Sequence, residues 1–229
     1  MLYAWIDGKK RGPLAKGERT SCRDCGGLLS AVMPVENTPH WRHKAGDCDS
    51  WSEPEGPWHL GWKERFDLSC REVSLRDDLT GELHRADILV GSGLGQATVL
   101  ELQHSPISED ERNAREAFYR RDHRMFWLVN LHDEKSFLGT YFRMSLDFSS
   151  RVSKLNGKDF AVMRWVGPNK QFIEKWKRAK AHVFFNFGPY IFYLAGSSTG
   201  GLGAPLRRGE FALCQLSHDE FVRAVLGKD

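Results

Sequence analysis

The sequence predicts an α+β fold that is preceded by a small module rich in cysteine and histidine. Over residues 58–129 the hydrophobic pattern changes from helical to alternating and back, in the order helix, three strands, helix, strand. Residues 21–50 show no convincing helix and concentrate the cysteine and histidine residues. Two prolines and a glycine in residues 51–57 are typical of a linker. We therefore expect a module at 1–50, a core at 51–130 and a C-terminal α/β extension at 131–229.

Each core element is bounded by turn residues. The predicted order is a helix from Trp58 toward Leu68, strands at Arg71–Leu75, His84–Val90 and Ala97–Gln103, a helix from Ser108 to near Arg121 and a strand at Met125–Val129. Ser108 followed by Glu111 is the signature of a capped helix start. In the extension we expect a strand near Tyr141–Phe148, a helix near Lys170–Lys180, strands near His182–Leu194, a flexible loop at Ser197–Gly203 and a helix near Ser217–Leu226.

The composition limits the class of protein. A hydrophobic fraction of 41% is enough for one sizeable core, and no apolar run approaches the ~20 residues that a membrane-spanning helix needs. Residues 1–10 lack the apolar segment of a signal peptide, so we expect a cytoplasmic protein without a membrane partner. Five cysteines in such a chain indicate metal binding or buried thiols more than disulfides. The net charge of +3 is compatible with a nucleic-acid partner.

The cysteines and histidines of the first module have the spacing of a zinc site. Cys22 and Cys25 form a C-x-x-C pair, and His40, His43 and Cys48 follow within the same polar segment. We expect Cys22, Cys25, His43 and Cys48 to hold a structural Zn²⁺ in a zinc-ribbon-like module, with His40 as the alternative ligand. The competing interpretations are idle reduced thiols and a redox pair, although the surrounding sequence does not resemble a thioredoxin-like fold.

Acidic side chains interrupt two apolar strands of the predicted core. Asp87 lies in one strand, and Glu101 lies two residues before Gln103 in the next, so that Glu101 and Gln103 point to the same face. The glycine-rich turn between the strands predicts antiparallel neighbours, which would let Asp87 join that face. The two carboxylates and the carbonyl of Leu102 would then bind Mg²⁺ or Mn²⁺. The alternatives are solvated acids at a strand edge and a buried ion pair with Arg85.

Several short motifs occur in the order of a known family. Between residues 20 and 130 they are the cysteine pair, His40–His43, Trp58–Lys63, Arg85–Leu89, Glu101–Ser105, Arg115–Tyr119 and Phe126–Leu128. This ordered set resembles the competence protein CoiA-like nuclease family of the PD-(D/E)XK superfamily. The resemblance implies an αβββαβ core, a mixed sheet flanked by helices with acids on its second and third strands. It also implies a catalytic metal held by Asp87 and Glu101.

The chain departs from the superfamily pattern at one catalytic position. The lysine of the (D/E)-x-K motif, which is thought to orient the attacking water, is Gln103 here. Either Gln103 suffices, or Lys63 of the first helix supplies the cation, or activity is lost. His59 and Lys63 share one helix face and are expected to contact the phosphate or relay protons, unless that face is simply solvated. Glu55 and Glu64 are weaker candidates for a further acid.

These assignments predict a DNA hydrolase that depends on Mg²⁺ or Mn²⁺. Arg85, Arg115 and Tyr119 are the expected contacts to the nucleic-acid backbone, although Arg115 would equally suit surface pairs with Glu111 or Glu116. The alternative functions are a non-catalytic nucleic-acid-binding module on an inactive scaffold and a ribonuclease. The sequence leaves open strandedness, polarity, sequence preference and oligomeric state. It also leaves open whether the role is in DNA uptake, repair, recombination or phage defence.

Overall fold

The computed structural model divides the chain into two compact units, Met1–Leu89 and Val90–Asp229. It describes residues 1–228 except 47, 52–54, 92–95, 132–136, 147–150, 156 and 197–205. The predicted loop Ser197–Gly203 therefore lies outside the described residues. Within the described part of the chain, no helix is both long and apolar enough to cross a membrane.

The first unit contains short antiparallel strands and one helix. Its elements are β1 (Ala4–Ile6), β2 (Lys9–Arg11), β3 (Arg19–Ser21), β4 (Leu28–Val32), β5 (His40–His43), α1 (Pro57–Lys63), a 3-10 turn (Leu68–Cys70), β6 (Arg71–Arg76) and β7 (Leu83–Val90). Strands β1 and β2 pair, β3–β4–β5 form a three-stranded sheet, and β6 pairs with β7. Trp41 and Leu29 of the three-stranded sheet are fully buried with Ala4 and Cys22 in a small core.

Helix α1 ends earlier than the predicted Leu68. After Lys63 the backbone tightens, since the amides of Arg65 and Phe66 donate to the carbonyls three residues before them, Trp62 and Lys63. In the hairpin that follows, β7 alternates strictly between buried and half-buried residues. Its even-numbered side chains are therefore buried on one face, while Arg85 and Asp87 point to the other.

The second unit is built on a large mixed sheet. Its elements are β8 (Thr98–Gln103), α2 (Glu109–Tyr119), β9 (Arg124–Asn130), α3 (Phe137–Ser145), β10 (Val152–Leu155), β11 (Lys158–Arg164), α4 (Gln171–Lys177), β12 (His182–Phe187), β13 (Tyr190–Leu194), β14 (Glu210–Leu216) and α5 (His218–Val225). The strand order is β10-β11-β14-β13-β12-β9-β8. β8, β9 and β12 are parallel, and the remaining pairs are antiparallel. The chain is thus α+β, as predicted.

The predicted strand near Tyr141–Phe148 is wrong, because residues 137–145 form helix α3. Phe142 and Ser145, three residues apart, are buried, while Arg143 and Met144 between them are exposed, which is helical spacing. Phe142 packs against Phe185 of β12. The predicted capping by Ser108 is confirmed, since its hydroxyl accepts from the Glu111 amide at 3.0 Å.

A buried carboxylate ties α2 to the sheet of the second unit. Glu116 is fully buried, accepts from Trp127 Nε1 at 3.0 Å and from the Lys180 amide at 2.7 Å, and lies 3.7 Å from Arg112 Nε. Removing it would leave Trp127 Nε1 and the Lys180 amide without their acceptor, and the buried Arg112 guanidinium without this counter-charge.

We predict that Glu116→Ala lowers the free energy of unfolding by about 3–5 kcal/mol, because it breaks a buried charged network. Urea denaturation measures the change. The matched control is Glu109→Ala on the same helix, where the exposed pair with Arg178 should contribute far less than the buried Glu116 network. Equal effects of the two substitutions would contradict the prediction.

Candidate functional site

Four cysteine and histidine side chains converge in the first unit. Cys22 and Cys25 follow β3, His43 ends β5 and Cys48 lies just beyond it; their ligand atoms all lie within 4.8 Å of one another. Cys22 Sγ is 4.0 Å from Cys48 Sγ, and Cys25 Sγ is 3.5 Å from His43 Nε2. Tetrahedral zinc with its usual bond lengths places two sulfurs about 3.8 Å apart and sulfur and nitrogen about 3.5 Å apart. The cluster could therefore bind a metal ion such as zinc.

Strand periodicity explains why His43 belongs to this cluster and His40 does not. In β5 the residues Trp41 and His43 are buried on one face, whereas His40 points to the other. The ring of His40 instead lies 3.0 Å from the carbonyl of Thr38. The turn between the two cysteines closes through a bond from the Gly26 amide to the Cys22 carbonyl, with Gly26 at a φ of 72° that favours glycine.

Without an ion, burial raises the pKa of two of the three thiols, Cys22 and Cys48, whereas a hydrogen bond from the Gly27 amide lowers the pKa of Cys25. Burial raises the pKa of Cys48 to about 12, and the neighbouring Cys22 adds to the rise. Because zinc binds thiolates, loading the cluster would release protons, and the affinity for zinc should increase with pH.

The cysteine cluster is attached to the β6–β7 hairpin of the same unit. Asp24, between the two cysteines of the pair, accepts from the Ser74 hydroxyl at 2.6 Å. Asp49 lies 3.0 Å from the His84 ring and accepts from the Arg85 amide at 3.0 Å. The Arg85 guanidinium is nearly buried, 3.7 Å from Cys48 Sγ. This placement favours a structural role for Arg85 over the predicted contact with nucleic acid.

Lys63 lies at the centre of an acidic cluster in the first unit. Its side chain is 1% exposed, and Nζ is 2.7 Å from Glu55, 3.2 Å from Glu72 and 3.0 Å from Asp87. Burial alone would lower the pKa of Lys63, but Asp87 and Glu72 foremost, with Glu55, outweigh it and raise the pKa, so that the ammonium stays charged. The alternative interpretation, that Lys63 lies on a solvated helix face, is therefore wrong.

Asp87 is the most accessible of the three acids around Lys63. Its side chain is 23% exposed, against 17% for Glu55 and 4% for Glu72. His59, one turn before Lys63 on α1, is buried, and its Nδ1 accepts from the Gly56 amide at 3.5 Å. Asp87 is thus the carboxylate in this cluster that an ion or substrate could best approach.

Sequence reasoning missed Glu72, which is the most buried acid of the cluster. It accepts from the amides of Leu2 at 2.9 Å and Tyr3 at 3.2 Å, in addition to its pair with Lys63. Burial would raise its pKa, but Lys63 foremost lowers it to about 2. The left-handed backbone at Glu72, with a φ of 45°, is the kind of outlier that a functional or structural constraint maintains. The sequence could not reveal the burial of Glu72, because an acid in an alternating strand is usually a solvent-facing residue.

Glu55 should make the folded chain less stable as pH rises. Burial raises the pKa of Glu55 from 4.5 to about 8, with Lys63 opposing the rise and Glu72 and Asp87 adding to it. Between those values the folded state holds a proton that the unfolded state has released, so the free energy of unfolding declines as pH increases, by up to roughly 1.4 kcal/mol per unit. Glu55→Gln should remove this decline.

Urea denaturation at pH 5, 6.5 and 8 tests this prediction, with the difference between variant and wild type as the readout. Taking the difference cancels the contribution of His182, which both chains contain. Because the pKa of His182 is lowered in the folded state, that contribution raises the free energy of unfolding as pH increases toward 6.5. A difference that stays constant over the three pH values would contradict the prediction.

Glu101 is held by an ion pair in the second unit. Its carboxylate accepts from Arg115 Nη1 at 3.2 Å, and Arg115 Nη2 donates to Glu111 at 2.6 Å. Leu102 and Gln103 are buried in the same strand, and the Gln103 amide donates to the Ser105 carbonyl at 2.9 Å. Arg115 and Tyr119 are both buried, which favours packing and ion pairing over contact with a nucleic-acid backbone.

The candidate acids thus each lie beside a buried cation, Asp87 beside Lys63 and Glu101 beside Arg115. Asp87 belongs to the first unit and Glu101 to the second, and residues 92–95 of the connecting turn are outside the described part. Their convergence on one ion stays a prediction. No family model, curated protein or solved structure matches the chain.

Proposed function

We propose that this chain is a metal-dependent nuclease that hydrolyses phosphodiester bonds in DNA. The observation that carries the proposal is the buried Lys63 ammonium 3.0 Å from the partly exposed Asp87 carboxylate. In this proposal Lys63 would supply, from α1, the cation that the (D/E)-x-K pattern lacks at Gln103. The order helix, three strands, helix, strand over residues 57–130, interrupted by one 3-10 turn, supports the same proposal.

The donor set suits a hard divalent ion. Asp87 and Glu101 would hold Mg²⁺ or Mn²⁺ through carboxylate oxygens, together with the backbone carbonyl of Leu102. When bound, the ion would lower the pKa of a coordinated water and neutralise charge on the phosphate. Lys63 would fix the orientation of Asp87 and contribute positive charge beside the scissile group, as Arg115 would for Glu101. His59 stays a weaker candidate for proton transfer, because it is buried and already accepts from the Gly56 amide.

We also propose that the four-ligand cluster of Cys22, Cys25, His43 and Cys48 is a structural zinc site in a zinc-ribbon-like module. Four protein ligands leave no position for a reacting water. Its contacts through Asp24 and Asp49 reach the hairpin that carries Asp87. The cluster would thereby stabilise the strand on which the candidate catalytic acid lies.

One observation favours the alternative of a non-catalytic nucleic-acid-binding module. The Gln103 amide donates to Ser105 and therefore does not replace a lysine ammonium in the described geometry. Purified chain should be incubated with single-stranded DNA, double-stranded DNA and RNA, with Mg²⁺, with Mn²⁺ and with neither. Metal-dependent cutting of DNA supports the proposal, cutting of RNA alone identifies a ribonuclease, and binding without cutting favours the non-catalytic module.

A further inference from the structure

A basic cavity of about 410 Å³ opens in the second unit. Its lining includes Gln96, Arg120, His123, Arg124, Lys180 and His182. Arg124 and His182 are the first residues of the parallel strands β9 and β12, and Arg120 caps the end of α2. The cavity therefore lies at the amino-terminal edge of the parallel part of the sheet.

The positive charge around this cavity has no neutralising carboxylate among the described residues that line it. No carboxylate is among its lining residues, and within the described chain Arg120, Arg124 and Lys180 form no ion pair. By contrast, the arginines at positions 112, 115 and 178 all pair with glutamates. Arg124 Nη2 makes a long bond of 3.5 Å to the Ala224 carbonyl near the end of α5, and its guanidinium lies 5.1 Å above the Phe126 ring.

The neighbouring arginines favour the neutral form of His182. Burial lowers the pKa of His182, and the positive charges of Arg124 and Arg120 lower it further. The ring is therefore neutral at physiological pH, and its Nδ1 lies 2.6 Å from the Tyr193 hydroxyl. A cavity lined by permanent cations and neutral hydrogen-bonding groups suits an anion with several acceptor oxygens.

We propose that this cavity binds a phosphate group through Arg120, Arg124 and Lys180. Guanidinium groups match phosphate geometry in two parallel hydrogen bonds, and lysine adds a mobile point charge. The phosphate could belong to a nucleic-acid strand or to a free phosphate compound, and the experiment separates these sources. The proposal uses neither Asp87 nor Glu101, so it would hold even for a chain without nuclease activity.

The test compares wild type with Arg120→Gln/Lys180→Gln. Both residues are exposed, and neither has an ion-pair partner in the described part of the chain that the substitutions would remove. The matched control is Lys158→Gln/Lys170→Gln, which removes two exposed positive charges outside the cavity. The probes are a fluorescent single-stranded DNA of about 12 nucleotides and inorganic pyrophosphate. Divalent metal is omitted from all samples, so that no cleavage occurs.

We expect the cavity variant to bind the DNA about tenfold more weakly. The slope of log K against log salt concentration should be shallower by about 1.4, because each of the two lost phosphate contacts contributes ~0.7 to the slope for a single strand. The control should stay within about twofold of wild type. Loss of pyrophosphate binding alone would support the site and identify a free phosphate compound as its ligand. Equal binding of both probes by cavity variant and control would refute the proposal. If the double variant does not fold by circular dichroism, Lys180→Glu replaces it, and unchanged binding of both probes would be equally decisive.

Discussion

Asp87→Asn should reduce metal-dependent DNA cleavage by about 10²–10³-fold or more, because it removes a charged ligand of the proposed ion and the anion beside Lys63. The fold should persist, since Lys63 retains Glu55 and Glu72 as partners. We expect the free energy of unfolding to fall by less than the roughly 3–5 kcal/mol of a fully buried pair, because Asp87 is partly exposed and Lys63 keeps its other acidic partners. Initial rates on a labelled DNA substrate, with urea denaturation of the same samples, measure both effects.

Asp78→Asn is the matched control for this prediction. It makes the same chemical change at an exposed residue in the turn of the same hairpin, and it should leave the cleavage rate unchanged. Glu101→Gln should act like Asp87→Asn, with Arg115 still held by Glu111. Cleavage by Asp87→Asn at the rate of the Asp78→Asn control would remove Asp87 from the site.

Cys22→Ala/Cys25→Ala should eliminate one equivalent of zinc and unfold the three-stranded sheet of the first unit. The small core there contains four buried residues, Ala4, Cys22, Leu29 and Trp41, too few to stabilise short strands without an ion. Structural zinc contributes on the order of 10–16 kcal/mol in small modules at neutral pH. Metal analysis and hydrogen exchange of residues 19–43 measure the two effects.

The matched control is Cys70→Ala/Cys214→Ala, which also removes two free thiols but leaves the cluster intact. This control should retain a full equivalent of zinc and normal hydrogen exchange in residues 19–43. A wild-type chain that contains less than about half an equivalent of zinc, or a cluster variant that keeps both its zinc and its protection from exchange, would contradict the structural-zinc proposal.

The predictable parts of the fold are those where one pattern dominates a long segment. Strands β7 and β8 were predictable because apolar residues occupy most of the positions not taken by the interrupting charged and polar groups, and α5 does begin directly after Ser217, which forms a capping box with Glu220. The strands before residue 44 were missed because most have only three residues, too short to show alternation. Their stability depends on tertiary contacts and, as we propose, on an ion.

The candidate site was predictable in its charges but not in their partners. The four ligands of the cysteine cluster follow from spacing, and choosing His43 over His40 required only the face of β5. The neighbours of Asp87 are different, because Glu72 and Glu55 are separated from it by 15 and 32 residues. Nothing local in the sequence reveals that both surround Lys63. The burial of Arg85, Arg115 and Tyr119 could not be predicted either, because the same spacing of polar residues is found on a solvated face and in a buried ion pair.

We expect Asp87 and Glu101 to hold one divalent ion beside a phosphate. The decisive experiment is a crystal structure of the chain soaked in Mn²⁺, with the ion located by its anomalous signal. It should contain one manganese bound to an oxygen of Asp87 and an oxygen of Glu101, with Lys63 still contacting Asp87. Manganese at other residues only, or carboxylates of Asp87 and Glu101 that face different sides of their strands, would contradict this expectation.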